Sequence, residues 1–298
     1  IGTSDVWRYH DDVREGKLED KELRNIEAAM CRSDGHCAVM GTASTMACMV
    51  ESLGLSLPEN AAIPAADSRR KVLAQLSGLR IVEMVKENLR LSNILTRKAF
   101  ENAIKVNAAI GGSTNFVIHL LAIAGRIGVP LTLEDFNQLS ANIPLITNLQ
   151  PAGEYFMEDL FYAGGLPAVQ KELKGILHKE CITVNGRTVG ENFENAQKYD
   201  LDIIATVEAP FNTATGLAIL KGNVCENGAV IKPSAASAHL MKHTGKAVVF
   251  ENIEDYKLRI DSSDLEIDEN SVLVLKHVGP KGYPGMPEVG NMGLPKKL

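Results

Sequence analysis

The spacing of apolar residues divides the chain into two regimes. Up to about residue 177, apolar side chains recur with the period of a helix. This spacing predicts helices over residues 6–15, 19–30, 43–53, 67–88, 96–108, 114–126, 132–139, 157–162 and 166–177. After residue 178 the apolar residues come in short β-branched runs that are separated by turn residues, which favours strands.

The second regime is predicted to be rich in strands. Residues 182–189 form two short runs around Asn185-Gly186, a dipeptide that favours a tight hairpin. Further strands are predicted at residues 217–220, 229–231, 247–250 and 271–277, and helices at residues 237–242 and 253–258. We therefore expect a helical domain over residues 1–178 and a β-rich domain over residues 179–298.

Two local patterns refine the helices. The longest predicted helix, residues 67–88, is interrupted by Gly78, and it has an apolar side formed by Val72, Leu73, Leu76, Leu79 and Val82. Thr132-Leu-Glu-Asp135 has the form of a capping box, which predicts that a helix begins there.

Composition narrows the class of protein. The net charge of -6, with no basic cluster, argues against nucleic acid as a partner. No apolar run reaches the roughly 18 residues of a membrane span. The five cysteines are irregularly spaced and follow no signal peptide, so they indicate the reducing cytoplasm rather than a disulfide framework.

The first candidate for chemistry is the segment Cys31-Arg-Ser-Asp-Gly-His-Cys37, which precedes a hydroxyl-rich helix entry. Ser44 or Thr45 is predicted to cap that helix, whose free amides favour an anion or a thiolate. Cys-x5-Cys is a poor zinc pattern, because structural zinc takes closer pairs and needs more ligands. The alternative is that both cysteines are small buried apolar residues.

Two further segments are candidates. Ile110-Gly-Gly-Ser-Thr-Asn115 precedes an apolar helix, and its glycines and hydroxyls suit close approach of a carboxylate or phosphate, although an ordinary helix cap has the same composition. His119, inside that helix, is expected to be a core residue. The glycine- and proline-rich loop of residues 279–288 carries one carboxylate, Glu288, which is either a metal or substrate ligand or simply solvated.

Five segments together resemble one family, the IlvD/Edd dehydratases. They are Gly35-His-Cys37-Ala-Val-Met-Gly-Thr-Ala-Ser-Thr-Met46, Leu53-Gly-Leu-Ser-Leu-Pro58, Gly111-Gly-Ser-Thr-Asn115, Cys181-Ile-Thr-Val-Asn-Gly186 and Gly279-Pro-Lys-Gly-Tyr-Pro-Gly-Met-Pro-Glu288. The sequence around Cys37 most resembles that of the sugar-acid branch, which is typified by L-arabinonate dehydratase. The resemblance implies an α/β fold, with an α/β N-terminal domain followed by a β-rich, barrel-like C-terminal domain, both incomplete here.

The resemblance also implies an activity and its cofactors. Members remove water from a 2,3-dihydroxy acid, a sugar acid or a branched-chain acid, and form a 2-keto acid. They use an iron–sulfur cluster, [2Fe–2S] or [4Fe–4S], as Lewis acid, together with Mg²⁺. The resemblance further implies a homodimer or homotetramer.

The family's functional positions transfer only in part. Cys37 falls on a cluster-ligating cysteine, Glu288 on a Mg²⁺ ligand, and Ser113, Thr114 and Asn115 lie near the substrate pocket. The motifs that carry the other cluster cysteines and the remaining Mg²⁺ ligands are absent, and the catalytic serine is expected after Leu298. We therefore expect an internal fragment that lacks the cluster and is inactive alone.

Two alternatives belong to other classes. A dehydratase-derived module that binds sugar acids without turnover would have this same sequence. A thiol or zinc protein using Cys31 and Cys37 is the other alternative, and the number of available ligands disfavours it.

Overall fold

The structure is a computed structural model, which describes residues 5–30, 34–213, 216–279 and 292–298. These residues form two compact units, one over residues 28–236 and the other over residues 5–27 together with 237–298. Helices and strands occur together, which confirms the α/β class. The domain boundary expected near residue 178 stays a prediction.

Helices build most of the first unit, and several match the predicted ranges closely. At the start of the chain, α1 (Val6–Arg14) and most of α2 (Asp20–Met30) belong to the second unit. The helices that follow are α3 (Thr42–Ser52), α4 (Ser68–Lys86), α5 (Leu91–Ile94), α6 (Arg97–Ala109), α7 (Phe116–Ile127), α8 (Leu133–Ser140), α9 (Met157–Tyr162), α10 (Gly165–Glu172) and α11 (Val189–Phe193).

Side-chain caps explain where several helices begin. The Asp67 carboxylate accepts a hydrogen bond from the Arg69 amide at the start of α4, and Thr188 caps α11 in the same way. The predicted capping box is confirmed at α8, where the Thr132 amide donates to the Asp135 carboxylate over 2.7 Å. Each contact satisfies an amide that the first helical turn leaves without a partner.

The core of the first unit is centred on α6, which packs against α3, α8 and α10. Small residues on α6, such as Ala99, Ala103 and Ala109, are almost fully buried and allow the neighbouring helices to approach closely. Phe116 at the start of α7 meets Phe136 of α8 edge to face, with ring centroids 5.3 Å apart. The N-terminal ends of α3 and α7 are therefore held by a well-packed interior.

The helix α4 forms as predicted but buries little of its apolar surface. It runs unbroken through Gly78, yet Leu79 and Val82 are 61% and 52% exposed, and Met84 is its buried residue. Arginines fasten it: Arg70 donates to the side chain and carbonyl of Asn60, and Arg80 donates to the carbonyl of Val184. Most of the predicted apolar side is therefore left exposed by the described residues.

Strands occur as two separate pairs. In the first unit, β1 (Ala218–Gly222) pairs antiparallel with β2 (Cys225–Ile231), with Ala218 opposite Ile231. In the second unit, β3 (Ala247–Phe250) pairs parallel with β4 (Val272–Leu275), and α12 (Ile253–Arg259) connects them. Phe250 and Tyr256 stack edge to face in this small core. A barrel-like C-terminal domain stays a prediction.

Two local expectations are wrong. Residues 182–189 make the predicted turn, but only one bridge, Ile182 to Thr188, replaces the two strands. The cause is Thr188, which caps a helix beginning at the next residue instead of continuing a strand. The helix expected over residues 237–242 is a single 3₁₀ turn at Ala238–Leu240.

None of the helices described is both long and apolar enough to cross a membrane.

Candidate functional site

The Cys37 segment is fixed by two backbone hydrogen bonds just after the cysteine. The Ala38 carbonyl accepts a hydrogen bond from the Met157 amide, and the Met40 amide donates to the Gln150 carbonyl. Cys37 itself is half-buried. The segment thus lies on the body of the first unit, immediately before α3.

The helix entry differs from the prediction in its capping residue. Gly41 is the N-cap of α3, and it supplies no side chain. Ser44 lies inside the first turn, where its hydroxyl donates to the Val39 carbonyl over 2.7 Å and lies 3.2 Å from His36 Nδ1. Ser44 and Thr45 therefore do not cap the helix; they tie the preceding loop to it.

The structure brings the two predicted segments together. Thr42 Oγ1, at the start of α3, accepts a hydrogen bond from Asn115 Nδ2 over 2.8 Å and lies 3.2 Å from Ser113 Oγ. The Ser113 amide donates to Thr45 Oγ1 over 2.9 Å. Segments 68 or more positions apart thus form one hydroxyl cluster, made by Thr42, Thr45, Ser113 and Asn115. Two helix N-termini meet there, and each favours negative charge.

The two glycines of the turn are required by their surroundings. Gly111 has a φ of +60°, a conformation that glycine adopts without steric cost. A Cβ on Gly112 would lie 2.0 Å from Asn107 Oδ1, closer than atoms can approach. Asn107 is 2% exposed and its Oδ1 has no hydrogen-bond partner among the described residues. The turn is therefore tightly packed against the end of α6.

Lys232 contacts this turn, and no motif in the sequence had indicated that contact. It follows β2 directly, is half-buried, and donates from Nζ to the Gly111 carbonyl over 2.6 Å. Burial lowers the pKa of its ammonium below the usual 10.5. No signal in the sequence could have joined it to Gly111, because the two residues are 121 positions apart.

The remaining candidates fall outside this cluster or outside the described residues. Thr114 is half-buried, and its carbonyl accepts from the Val117 amide. His119 is exposed, so the expected core position is wrong: α7 turns its Phe116, Val117, Leu120 and Ala124 side inward. Glu288 and Cys31 lie outside the described residues.

The described residues do not by themselves fit an iron–sulfur cluster. A cluster needs several thiolates, and no group of three or more potential ligands from His, Cys, Asp and Glu occurs among the residues that the structure describes. Cys48 and Cys181 are buried, and burial raises the pKa of each thiol. Cys225 is exposed on β2. Cys37 is thus the one predicted cluster ligand within the described part of the chain.

A buried carboxylate lies at the opposite end of α3 from the hydroxyl cluster. Glu51, near the end of α3, is 6% exposed and accepts hydrogen bonds from the amides of Glu59 and Ala61. Burial raises its pKa to about 7, although the two amides and Arg70 oppose that shift. It fastens the loop that leads into α4.

Comparison with known proteins places the chain in a family. The model of the N-terminal domain of dihydroxy-acid/6-phosphogluconate dehydratases matches residues 1–192, and the model of their C-terminal domain matches residues 202–298. The chain belongs to the IlvD/Edd dehydratase family. The family indicated by the five segments is thus confirmed.

Curated relatives in this dehydratase family include enzymes named for two kinds of substrate. An L-arabinonate dehydratase of Rhizobium leguminosarum is 54% identical over 98% of this chain and 51% of that protein. An L-arabonate dehydratase of Azospirillum brasilense is 56% identical over 98% of this chain and 51% of that protein. A dihydroxy-acid dehydratase of Caldanaerobacter subterraneus is 44% identical over 96% of this chain and 53% of that protein. The chain spans about half the length of these relatives.

Proposed function

We propose that the protein containing this chain is a hydro-lyase that removes water from a 2,3-dihydroxy acid and forms a 2-keto acid. The observation that carries the proposal is the joining of Cys37 and the Gly111–Asn115 turn in one compact unit of an IlvD/Edd dehydratase. The resemblance to the family implies that Cys37 belongs to the metal centre and that the turn lies near the substrate pocket.

We propose a sugar acid, such as a pentonate, as the substrate class. Relatives named for L-arabinonate share 54% and 56% identity with the chain, whereas the dihydroxy-acid dehydratase shares 44%. The cluster of Thr42, Ser113 and Asn115 offers hydroxyl and amide groups that can bind the several hydroxyls of such a substrate. A branched-chain dihydroxy acid, with an apolar end, has fewer hydroxyls that could bind such groups.

The cofactors follow from the same relationship. We propose that the whole protein holds an iron–sulfur cluster, with Cys37 as one ligand, and Mg²⁺, with Glu288 as one ligand. When bound, such a cluster supplies a Lewis acid for the leaving hydroxyl. This chain's own contribution is to hold the Cys37 segment and the turn at fixed positions through the Ser113–Thr45 and Asn115–Thr42 bonds.

The test is turnover by the natural gene product, purified without oxygen. L-arabinonate and 2,3-dihydroxyisovalerate are offered separately, and the 2-keto acid is trapped as its semicarbazone. We expect keto acid from the sugar acid in preference to the branched acid. Binding without product formation would instead support the alternative, a dehydratase-derived binding module. The 298-residue chain, assayed beside it, is expected to be inactive.

A further inference from the structure

The position of Lys232 is set by the hairpin that precedes it. The strand β1 is anchored on α8, because the Ile219 amide donates to Asn137 Oδ1 and the Leu217 carbonyl accepts from Ser140 Oγ. The strand β2 pairs with β1 up to Ile231, so the next residue is carried to a fixed place. From there its Nζ reaches the Gly111 carbonyl.

Within the described part of the chain, the ammonium has no counter-ion. No aspartate or glutamate of the described residues forms an ion pair with Lys232, and its hydrogen-bond acceptor is a neutral carbonyl. An ammonium has three donor positions, and the Gly111 carbonyl satisfies one of them. Burying a cation without an opposite charge is unfavourable, and an anion bound beside it would compensate the cost.

The surroundings of Nζ favour a polar anion. Two positions after Gly111 lies Ser113, which belongs to the hydroxyl cluster at the start of α7. The N-terminal end of that helix carries positive partial charge, which adds to the charge of the ammonium. A cation and a group of hydroxyls thus lie at one turn.

We propose that Lys232 is a substrate-binding residue whose ammonium pairs with the carboxylate of the hydroxy acid at the Gly111–Ser113 turn. This inference rests on the proposed function and adds a residue to its site. A carboxylate has two oxygens and about four lone-pair positions, so it can accept from Lys232 while a metal ion holds it as well. Without substrate, the Gly111 carbonyl occupies one donor of the ammonium.

The competing account is purely structural: Lys232 would brace the β1–β2 hairpin against the turn. The two accounts differ in the role of charge on the ligand. A carboxylate-binding residue distinguishes an acid from its neutral amide, whereas a brace affects both ligands equally. Lys232→Met removes the charge and keeps the length, and Lys232→Arg keeps the charge. Lys221→Met is the matched control, because Lys221 is exposed on the same hairpin.

The experiment measures binding by calorimetry to the natural-length protein, with no turnover required. L-arabinonate and L-arabinonamide are titrated into the wild type and each variant. We expect K232M to weaken binding of the acid by about 10- to 100-fold, the size of a charge-assisted hydrogen bond. Binding of the amide should stay the same, K232R should restore part of the affinity for the acid, and K221M should match the wild type.

A measurement on the unaltered protein covers the case in which K232M fails to fold. Mass spectrometry after labelling with an amine-reactive reagent should show that L-arabinonate protects Lys232 and that the amide does not. Equal protection by both ligands, or none, would overturn the proposal. So would equal losses of acid and amide binding in K232M, or unchanged binding of the acid. The turnover assay reports separately on the proposed function, which therefore can stand when this inference fails.

Discussion

Replacing Gly112 by alanine tests whether the turn at the site is as tightly packed as the structure shows. The added Cβ would lie 2.0 Å from Asn107 Oδ1 and 3.0 Å from Thr45 Cγ2. Asn107 is itself 2% exposed, so it has little room to move away. The turn must therefore shift, and a shift would break the bond from the Ser113 amide to Thr45 Oγ1.

The expected cost follows from these two effects. Adding a methyl group to a filled core costs about 1–3 kcal/mol, and losing a buried hydrogen bond costs about 1 kcal/mol more, so we expect Gly112→Ala to destabilise the first unit by about 2–4 kcal/mol. Urea unfolding of the 298-residue chain, followed by circular dichroism, measures this difference.

Gly78 in α4 provides the matched control. A Cβ there meets nothing within 4 Å, and the residue lies inside a regular helix. Gly78→Ala should therefore stabilise the chain by up to about 1 kcal/mol, the difference in helix propensity. The substitution is the same, and the sign of the effect is opposite.

A double variant identifies the contact that is responsible. Asn107→Ala removes the side chain that the new Cβ would meet, so Gly112→Ala should cost much less in that background than in the wild type. Equal costs in both backgrounds, or wild-type stability for Gly112→Ala alone, would refute the packing described for the turn.

Three further predictions concern a hydroxyl, a carboxylate and the exposed helix. Thr42→Val keeps the shape of the side chain but removes the acceptor of the bond from Asn115 Nδ2, so we expect a loss of about 1 kcal/mol in urea unfolding; no loss would contradict that bond. Burial raises the pKa of Glu51 to about 7 from a usual 4.5, so the folded state holds the proton more tightly than the unfolded chain does. The contribution of Glu51 to the free energy of unfolding is therefore full below about pH 4.5 and is lost as pH rises through about 7. The wild type should therefore lose stability, on the order of 3 kcal/mol, between about pH 5 and about pH 8, and Glu51→Gln should abolish this loss. Unfolding curves measure both, and the same pH dependence in the wild type and the variant would contradict the prediction. Leu79→Gln, at a side chain 61% exposed, should change stability by less than about 0.5 kcal/mol, whereas Met84→Ala, at 6% exposed, should cost about 2–5 kcal/mol; equal effects would show that the apolar side of α4 is covered.

The sequence was sufficient for features that depend on near neighbours. The capping box at Thr132 and the bounds of α7 follow from local hydrogen bonding and periodicity, and the structure agrees with both. The five ordered segments identified the family, which the domain models confirm. The turn at residues 111–115 was a candidate ligand-binding segment or an ordinary helix cap. The structure places it beside the start of α3, and ligand binding there stays a prediction.

Features that depend on distant partners could not be predicted in this way. Periodicity showed that α4 has apolar residues but not whether anything covers them. The spacing of residues around His119 indicated a helix but not which of its sides faces inward. Lys232 belongs to no motif near Gly111, and only the docking of the hairpin on α8 brings it there. A single cap at Thr188 was enough to turn a predicted strand into a helix.

The most direct test of the central claim is the fate of L-arabinonate with the natural gene product in deuterated water. Dehydration through an enol predicts a 2-keto acid that has lost one water and gained one solvent deuterium at C3, as seen by mass spectrometry and proton NMR. A product formed by oxidation, which loses two hydrogens and keeps every oxygen atom, would contradict the account. So would unchanged substrate from a protein that holds its full complement of iron.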